Sequence, residues 1–184
     1  QPPFAGRTRP LVSLAVDMRD VYPRSHWSIE GRPPGYHTAD EAVYLPGRNI
    51  VLLVKAATYC ATTGIHRIAI GTLAHNPFPD ATDEFRTALA QALSLGLGHT
   101  LTFTAPLSRS GKAAVLQLGK RLHVPVALTQ SCMNPPESGA AAALHCGRCS
   151  KCRERHDAFL EAALDDPTRY LDRQFVDARV QRRE

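Results

Sequence analysis

The sequence lacks any apolar run long enough to cross a membrane, since no stretch approaches the roughly 18 uninterrupted apolar residues that a span needs. Its opening, QPPFAGRTRP, carries proline and charge without the apolar centre of a secretory leader. Cysteine is nearly missing from the first 130 residues, where Cys60 stands alone. A chain of 184 residues can bury a core without staples, so that scarcity costs it no stability. These absences set the expectation of a soluble, cytoplasmic protein with no membrane partner. In that compartment clustered thiols serve as metal ligands or redox groups before they serve as disulfides. Internal repeats are also lacking, and the one low-complexity tract, GAAAAL (Gly139 to Leu144), reads as a slack connector.

The formal net charge of +5 collects in GRCSKCRERHDAF and in the terminal RQFVDARVQRRE. Acidic residues interleave the latter, which favours a solvated helical face over a binding tail. Few aromatic residues stand among the basic ones, so the stacking platforms of a single-strand binder are missing. A zinc-ribbon nucleic-acid binder is therefore the weakest reading.

What is present alternates β-like and helical runs. Leu11 to Val16 is a compact β-like run, and the Pro/Gly/His-rich stretch from Tyr22 to Ala42 is too polar and broken to hold an element. The spacing predicts a helix from Pro46 to Gly64, with Ile50, Leu53, Val54, Ala57 and Cys60 on its buried stripe and Gly64 as its stop. Strands are expected over Arg67 to Thr72 and His99 to Pro106. Helices are expected over Asp80 to Gly96, opened by Asp80, and over Ser110 to Val124. This alternation predicts an α/β layer with a mostly parallel sheet. It occupies residues 1–130, followed by a cysteine-bearing segment with terminal helices at 131–184. Ligands of such sheets sit in loops beyond the strands' carboxyl ends. Three loops have that position: VYLPGRN, GTLAHNPFPDATDEF and APLSRSGK.

Cys146, Cys149 and Cys152 form C-x2-C-x2-C, with Cys132 thirteen intervening residues upstream. Four thiolates fill a tetrahedral zinc and leave no position for water or substrate, so the expected site is structural. An iron–sulfur cluster is the alternative for this spacing. His145 and His156 are read as surface or supporting residues rather than ligands, and Cys60 as a small buried hydrophobe. The segment runs on into a helix whose Phe159, Leu160, Ala163 and Leu164 can line one face.

The stretch SRSGKAAV fails the phosphate-loop pattern at Pro106 and Ala113, but keeps Lys112 in the first turn of a helix, where an anion is favoured. Arg48 and Asn49 open the buried helix, and the guanidinium fork of Arg48 suits a carboxylate or phosphate. Asp80 reads as a helix cap with Asp83 in the first turn.

Together these pieces resemble the 7-cyano-7-deazaguanine synthase family. The resemblance rests on Pro46 to Asn49 (PGRN), on Gly71, Pro79, Asp80, Glu84 and Phe85, on Pro106, Leu107 and Lys112, and on Thr129, Ser131, Cys132, Cys146, Gly147, Cys149 and Cys152. It runs from about Val43 to Phe159. The resemblance implies an adenine-nucleotide α-hydrolase-like (Rossmann-like) α/β fold with a structural zinc. It also implies an ATP-dependent carbon–nitrogen ligase that uses magnesium and forms AMP while converting a 7-carboxy-7-deazaguanine and ammonia to the nitrile. Lys112 and Asp80 are the implied catalytic residues, and Arg48, Asn49, Gly71 and Glu84 the implied substrate contacts. Cys132, Cys146, Cys149 and Cys152 are the implied metal ligands. The partners expected are the small-molecule substrate and ammonia, with a homodimer left open. The family's S-G-G-x-D-S pyrophosphate loop does not occur in these residues and is expected before Gln1. The family's PDCR reads PDAT here, Pro79 to Thr82, so a paralogue acting on a related carboxylate fits as well. The reading from a different class is a non-catalytic zinc-bearing subunit whose partner chain completes the ATP site.

Overall fold

The computed structural model describes residue 6 and residues 8–135 and 144–181. Most of the GAAAAL connector and the tip of the basic tail lie outside them. In chain order the elements are α1 (Trp27–Glu30), α2 (Arg48–Thr63), β1 (Arg67–Ala69), α3 (Asp83–Leu97), β2 (Thr102–Thr104), α4 (Lys112–Arg121), β3 (Leu144–His145), α5 (Ser150–Glu161), β4 (Arg169–Tyr170) and α6 (Gln174–Gln181). Short 3-10 turns sit at Asp40–Val43, Pro79–Ala81 and Val126–Leu128. No helix among the described residues is long and apolar enough to cross a membrane. The chain falls into two compact units, drawn differently from the 1–130 and 131–184 division read from the sequence: Gln1–Met18 with Tyr44–Gly111, and Arg19–Val43 with Lys112–Glu184.

In the first unit β1 and β2 pair in parallel, with Arg67 opposite Thr102 and Ala69 opposite Thr104. Parallel neighbours need a crossover, and α3 supplies it. Ala57, Cys60 and Leu101 form the buried centre, wrapped by Ile65, Ile68, Leu93, Leu97 and Phe103. The buried face of α2 is Asn49, Leu53, Ala57 and Cys60, one helical stripe. Ile50 and Val54, expected on that stripe, lie beside it and are 41% and 36% exposed. The helix stops where expected: Gly64 takes a φ of 70°, and the Cys60 carbonyl accepts from both Gly64 and Ile65. Cys60 is a buried free thiol in that centre, packed as a small hydrophobe, and burial pushes its pKa above the ordinary value.

Two sequence readings of this unit are corrected. Leu11 to Val16 is no strand; Leu11 is 94% exposed, and no described strand pairs with the run, which is touched at the Ala15 carbonyl by the Lys55 ammonium. An apolar run forms a strand only where an edge meets it. Asp80 does not open α3 either. That helix starts at Asp83, and the Thr82 hydroxyl, on an extended residue, accepts from the Phe85 N–H at 3.1 Å.

In the second unit α4 packs on α5, and β3 pairs in parallel with β4, a second two-stranded sheet not foreseen from the sequence. The stretch Tyr22 to Ala42, read as featureless, holds α1, which the His26 ring caps and Gly31 closes in the left-handed region. Its Tyr36 is buried and stacks on Phe175 at 4.8 Å between centroids, and its Gly35 bridges antiparallel to Cys149. The buried face of α5 is Cys152, Arg155, His156, Ala158 and Phe159. Of the expected face only Phe159 is fully buried, because the helix ends at Glu161 and Ala163 turns out at a φ of 52°.

Asp166 organises the polar interior of this unit. Its carboxylate accepts from His156 Nδ1 at 3.1 Å, from the Tyr170 hydroxyl at 2.8 Å and from the Thr168 N–H at 3.0 Å. Burial alone would raise its pKa, but these bonds outweigh it and hold the group at about 2. A carboxylate with a depressed folded-state value contributes stability above its unfolded value and loses it as pH falls through the folded one. Denaturant unfolding at pH 6, 4 and 2 should therefore show a steep loss of stability between the two lower values. Asp166→Asn should be less stable at pH 6 and fall less steeply below pH 4.

Candidate active-site loops and metal centre

Residues in all three candidate loops are tied together within the first unit. Gly47, at a φ of 73°, sits at the N-cap of α2 and has no side chain to satisfy the helix's first N–H groups. A carboxylate from elsewhere does so: the Asn49 N–H donates to Asp80 Oδ2 at 3.0 Å. The Asn49 amide adds bonds to Asp80 Oδ1 at 3.1 Å and to the Asp80 carbonyl at 3.2 Å. Asp80 and Asn49 are 6% and 3% exposed. Asp80 thus caps α2, at its positive end, from the turn 31 residues on. The second and third loops meet where the Ala74 N–H donates to the Ser110 carbonyl at 3.1 Å.

This geometry fixes the Asn49 amide. With Nδ2 turned to Asp80, Oδ1 faces Arg48, whose Nη2 and Nε stand at 3.3 and 3.4 Å. Arg48 is exposed, and its fork has five donors, so this long contact steadies the side chain while leaving capacity for an anion. Gly71 and Glu84, at the two ends of the second loop, are exposed and not hydrogen-bonded to this group; a side chain at Gly71 would meet nothing within 4 Å. Lys112 opens α4 as expected but belongs to the second unit. Its ammonium pairs with Glu154, which also takes Lys151 at 2.5 Å. Burial lowers the Lys112 pKa, and the charge of Asp40 works against that shift.

Sequence reasoning missed Arg86. It is buried, donates to the Ala81 carbonyl at 2.6 Å and to the Thr72 hydroxyl at 3.3 Å, and pairs with Asp83. It therefore joins the start of the second loop to the turn that carries Asp80. The available signal is an arginine three residues after Asp83, the one basic residue of this helix.

In the second unit the four thiols of Cys132, Cys146, Cys149 and Cys152 lie within 4.8 Å of one another. Cys149 and Cys152 are 3.5 Å apart, and Cys146 and Cys152 3.8 Å. Sulfurs placed tetrahedrally about 2.3 Å from zinc would stand about 3.8 Å apart, so the spacing fits such an ion. Backbone N–H groups of Asn134, Cys146 and Arg148 donate to the sulfurs of Cys132 and Cys146 at 3.2 to 3.3 Å, which favours thiolates. The four thiols also act on one another: Cys146 and Cys149 are pushed down, chiefly by the Cys132 thiol, while Cys132 is pushed up chiefly by Cys146 and Cys152 chiefly by Cys132, so the protons are shared unevenly within the cluster. His145 and His156 are buried rather than on the surface and stand outside the ligand set: His145 Nε2 accepts from the Ser131 N–H at 3.1 Å, and His156 serves Asp166. Gly147, at a φ of 78°, lets the ligand loop press on the chain just after β4; a Cβ there would fall 1.8 Å from the Asp172 carbonyl oxygen.

The family model described as queuosine biosynthesis protein QueC matches residues 34–163, a span that holds every candidate residue above. Curated relatives carry the name 7-cyano-7-deazaguanine synthase. That of Anaeromyxobacter dehalogenans is 35% identical over 134 residues, 69% of this chain and 55% of the relative. That of Thermoplasma volcanium is 35% identical over 164 residues, 86% of this chain and 63% of the relative. That of Stutzerimonas stutzeri is 37% identical over 135 residues, 70% of this chain and 58% of the relative. The chain thus spans between 55% and 63% of the length of these relatives.

Two substitutions check the geometry. Asp80→Ala strips the cap and leaves buried donors unpaired, at a cost of about 2 kcal/mol in denaturant unfolding, with Asp80→Asn near half that. Gly147→Ala combines a left-handed backbone with a carbonyl clash and should cost about 3 kcal/mol or more. Elemental analysis of that variant should show metal below one equivalent per chain.

Proposed function

Because the chain belongs to the QueC family of queuosine biosynthesis proteins, we propose that it carries the substrate loops and the metal clasp of an ATP-dependent 7-cyano-7-deazaguanine synthase. Its strands and crossover helix are read as part of an adenine-nucleotide α-hydrolase-like, Rossmann-like fold. The observation that carries the proposal is the joining of PGRN to PFPD through Asn49 and Asp80, inside the span the family model matches.

The chemistry explains why such loops are needed. A carboxylate is a poor electrophile, so one ATP first converts it to an acyl-adenylate with loss of pyrophosphate. Ammonia then displaces AMP and leaves an amide. A second adenylation, on the amide oxygen, makes a leaving group whose departure as AMP gives the nitrile. Magnesium accompanies ATP and shields its phosphates; the protein's task is positioning and charge stabilisation. Arg48 faces the substrate carboxylate with its fork. Asn49 steadies Arg48, and Asp80 holds Asn49, which makes Asp80 a positioning residue. Gly71 admits close approach of an adenylate, and Glu84 adds a polar contact at the loop's far end. Lys112 exchanges Glu154 for a phosphate when nucleotide binds. Cys132, Cys146, Cys149 and Cys152 would hold a zinc ion, which with four thiolates would serve structure rather than catalysis.

The direct test incubates the full-length protein with ATP, magnesium, ammonium and 7-carboxy-7-deazaguanine. The expected result is AMP, pyrophosphate and the nitrile, identified by mass. AMP released with another carboxylate instead would mark a paralogue, and no AMP with any such carboxylate would sink the ligase reading.

A further inference from the structure

Tyr44 and Phe78 stack with ring centroids 4.8 Å apart and planes 20° from parallel. Neither ring belongs to a core cluster among the described residues, and both keep part of their surface exposed. Both rings are half-buried, so each keeps some apolar surface that a core position would cover. Their backbone is nonetheless held firmly. Asn76 Oδ1 accepts from the Phe78 N–H at 3.0 Å, and the Phe78 carbonyl accepts from Ala81 at 3.0 Å. Tyr44 leads into the turn in which the Arg48 N–H donates to the Leu45 carbonyl at 3.0 Å. The two loops that carry the rings are the two that Asn49 and Asp80 fasten together. Arg48 stands four residues after Tyr44, and Asp80 two after Phe78. One small region of the first unit thus offers a fixed aromatic pair and an exposed guanidinium.

We infer that the Tyr44–Phe78 stack is the wall on which the substrate's ring lies, with Arg48 taking the carboxylate on that ring. The ligand class is a planar heteroaromatic carboxylate, and the inference rests on the function proposed above. A flat bicyclic ring extends an offset stack, where a saturated ring of the same charge cannot. The wall selects the ring, and Arg48 selects its charge.

Calorimetric titration of the full-length protein tests this without turnover. The probes are 7-carboxy-7-deazaguanine, cyclopentanecarboxylate and ATP, and the proteins are wild type, Tyr44→Leu and Phe78→Leu. Each leucine variant should bind the deazaguanine about 5- to 30-fold more weakly, the range expected for a lost base-stacking partner, and bind ATP as wild type does. Unchanged deazaguanine binding overturns the inference. An equal loss for ATP also overturns it, because the wall would then serve the nucleotide base. If wild type binds cyclopentanecarboxylate as tightly as the deazaguanine, no ring-binding wall exists. If wild type binds no deazaguanine at all, the proposed function fails first. Should a leucine variant fail to fold, Phe78→Trp keeps the ring: its added indole fluorescence, measured against wild type, should be quenched by the deazaguanine and not by AMP. No quenching overturns the inference.

Discussion

A buried carboxylate at the bare amino end of a helix is the contact on which the first unit's loops depend. Gly47 gives α2 its sharp entry at the cost of any local cap, and Asp80 fills the gap from a turn far along the chain. The bond satisfies both sides. The helix end gains an acceptor with negative charge, and the carboxylate gains donors that compensate its burial. Three consequences follow from this one placement. The Asn49 amide can point in one way only, Arg48 gains a support, and the aromatic residues that flank the motif are brought to stacking distance. Arg86 backs the same turn from behind by holding Ala81 and Thr72.

Much of this was legible in the sequence, and the misses have common causes. Periodicity and glycine stops located α2, both strands of the first sheet and the crossover helix, because those signals are local. The Cys-x2-Cys spacing likewise announced the thiol cluster, since two ligands one turn apart can only converge. Asp80 was misassigned because two helices competed for it. A carboxylate just before a helical run looks like that run's cap, and only tertiary structure shows that Thr82 does that work while Asp80 serves α2. Leu11 to Val16 was misread because composition suggests a strand but pairing makes one. β3 and β4 were invisible for the opposite reason: two residues each carry no period, and they pair where the ligand loop is pressed against Asp172.

The second unit shows how a four-thiol cluster can set a helix in place and, through it, the side chains that follow. Cys149 caps α5 and Cys152 lies in its first turn, so the cluster fixes where that helix begins and how it is rotated. The next residues take up their partners from that setting. Arg153 holds the carbonyls of Tyr36 and Thr38 and the carboxylate of Asp40. Glu154 holds Lys112 at the start of α4. Arg155 reaches Thr168, Thr129, Ser131 and the Val126 carbonyl, and so ties the segment leading to Cys132 back to the helix. Three successive side chains after one ligand thus hold three separate stretches of chain.

That arrangement bears on Lys112 in particular. A lysine at a helix's amino end is placed where its charge opposes the helix dipole, and Glu154 offsets that conflict. The counter-charge is itself only 9% exposed and shared with Lys151, so it cannot relax far if Lys112 swings away. The Lys112 ammonium is thus aimed by a buried partner while its own side chain stays 44% exposed. The two lysines share one carboxylate, one on each oxygen, and the helix register that places Glu154 between them is set by Cys152 two residues earlier. The four-thiol cluster therefore bears on Lys112 through the helix it begins, by geometry rather than by contact.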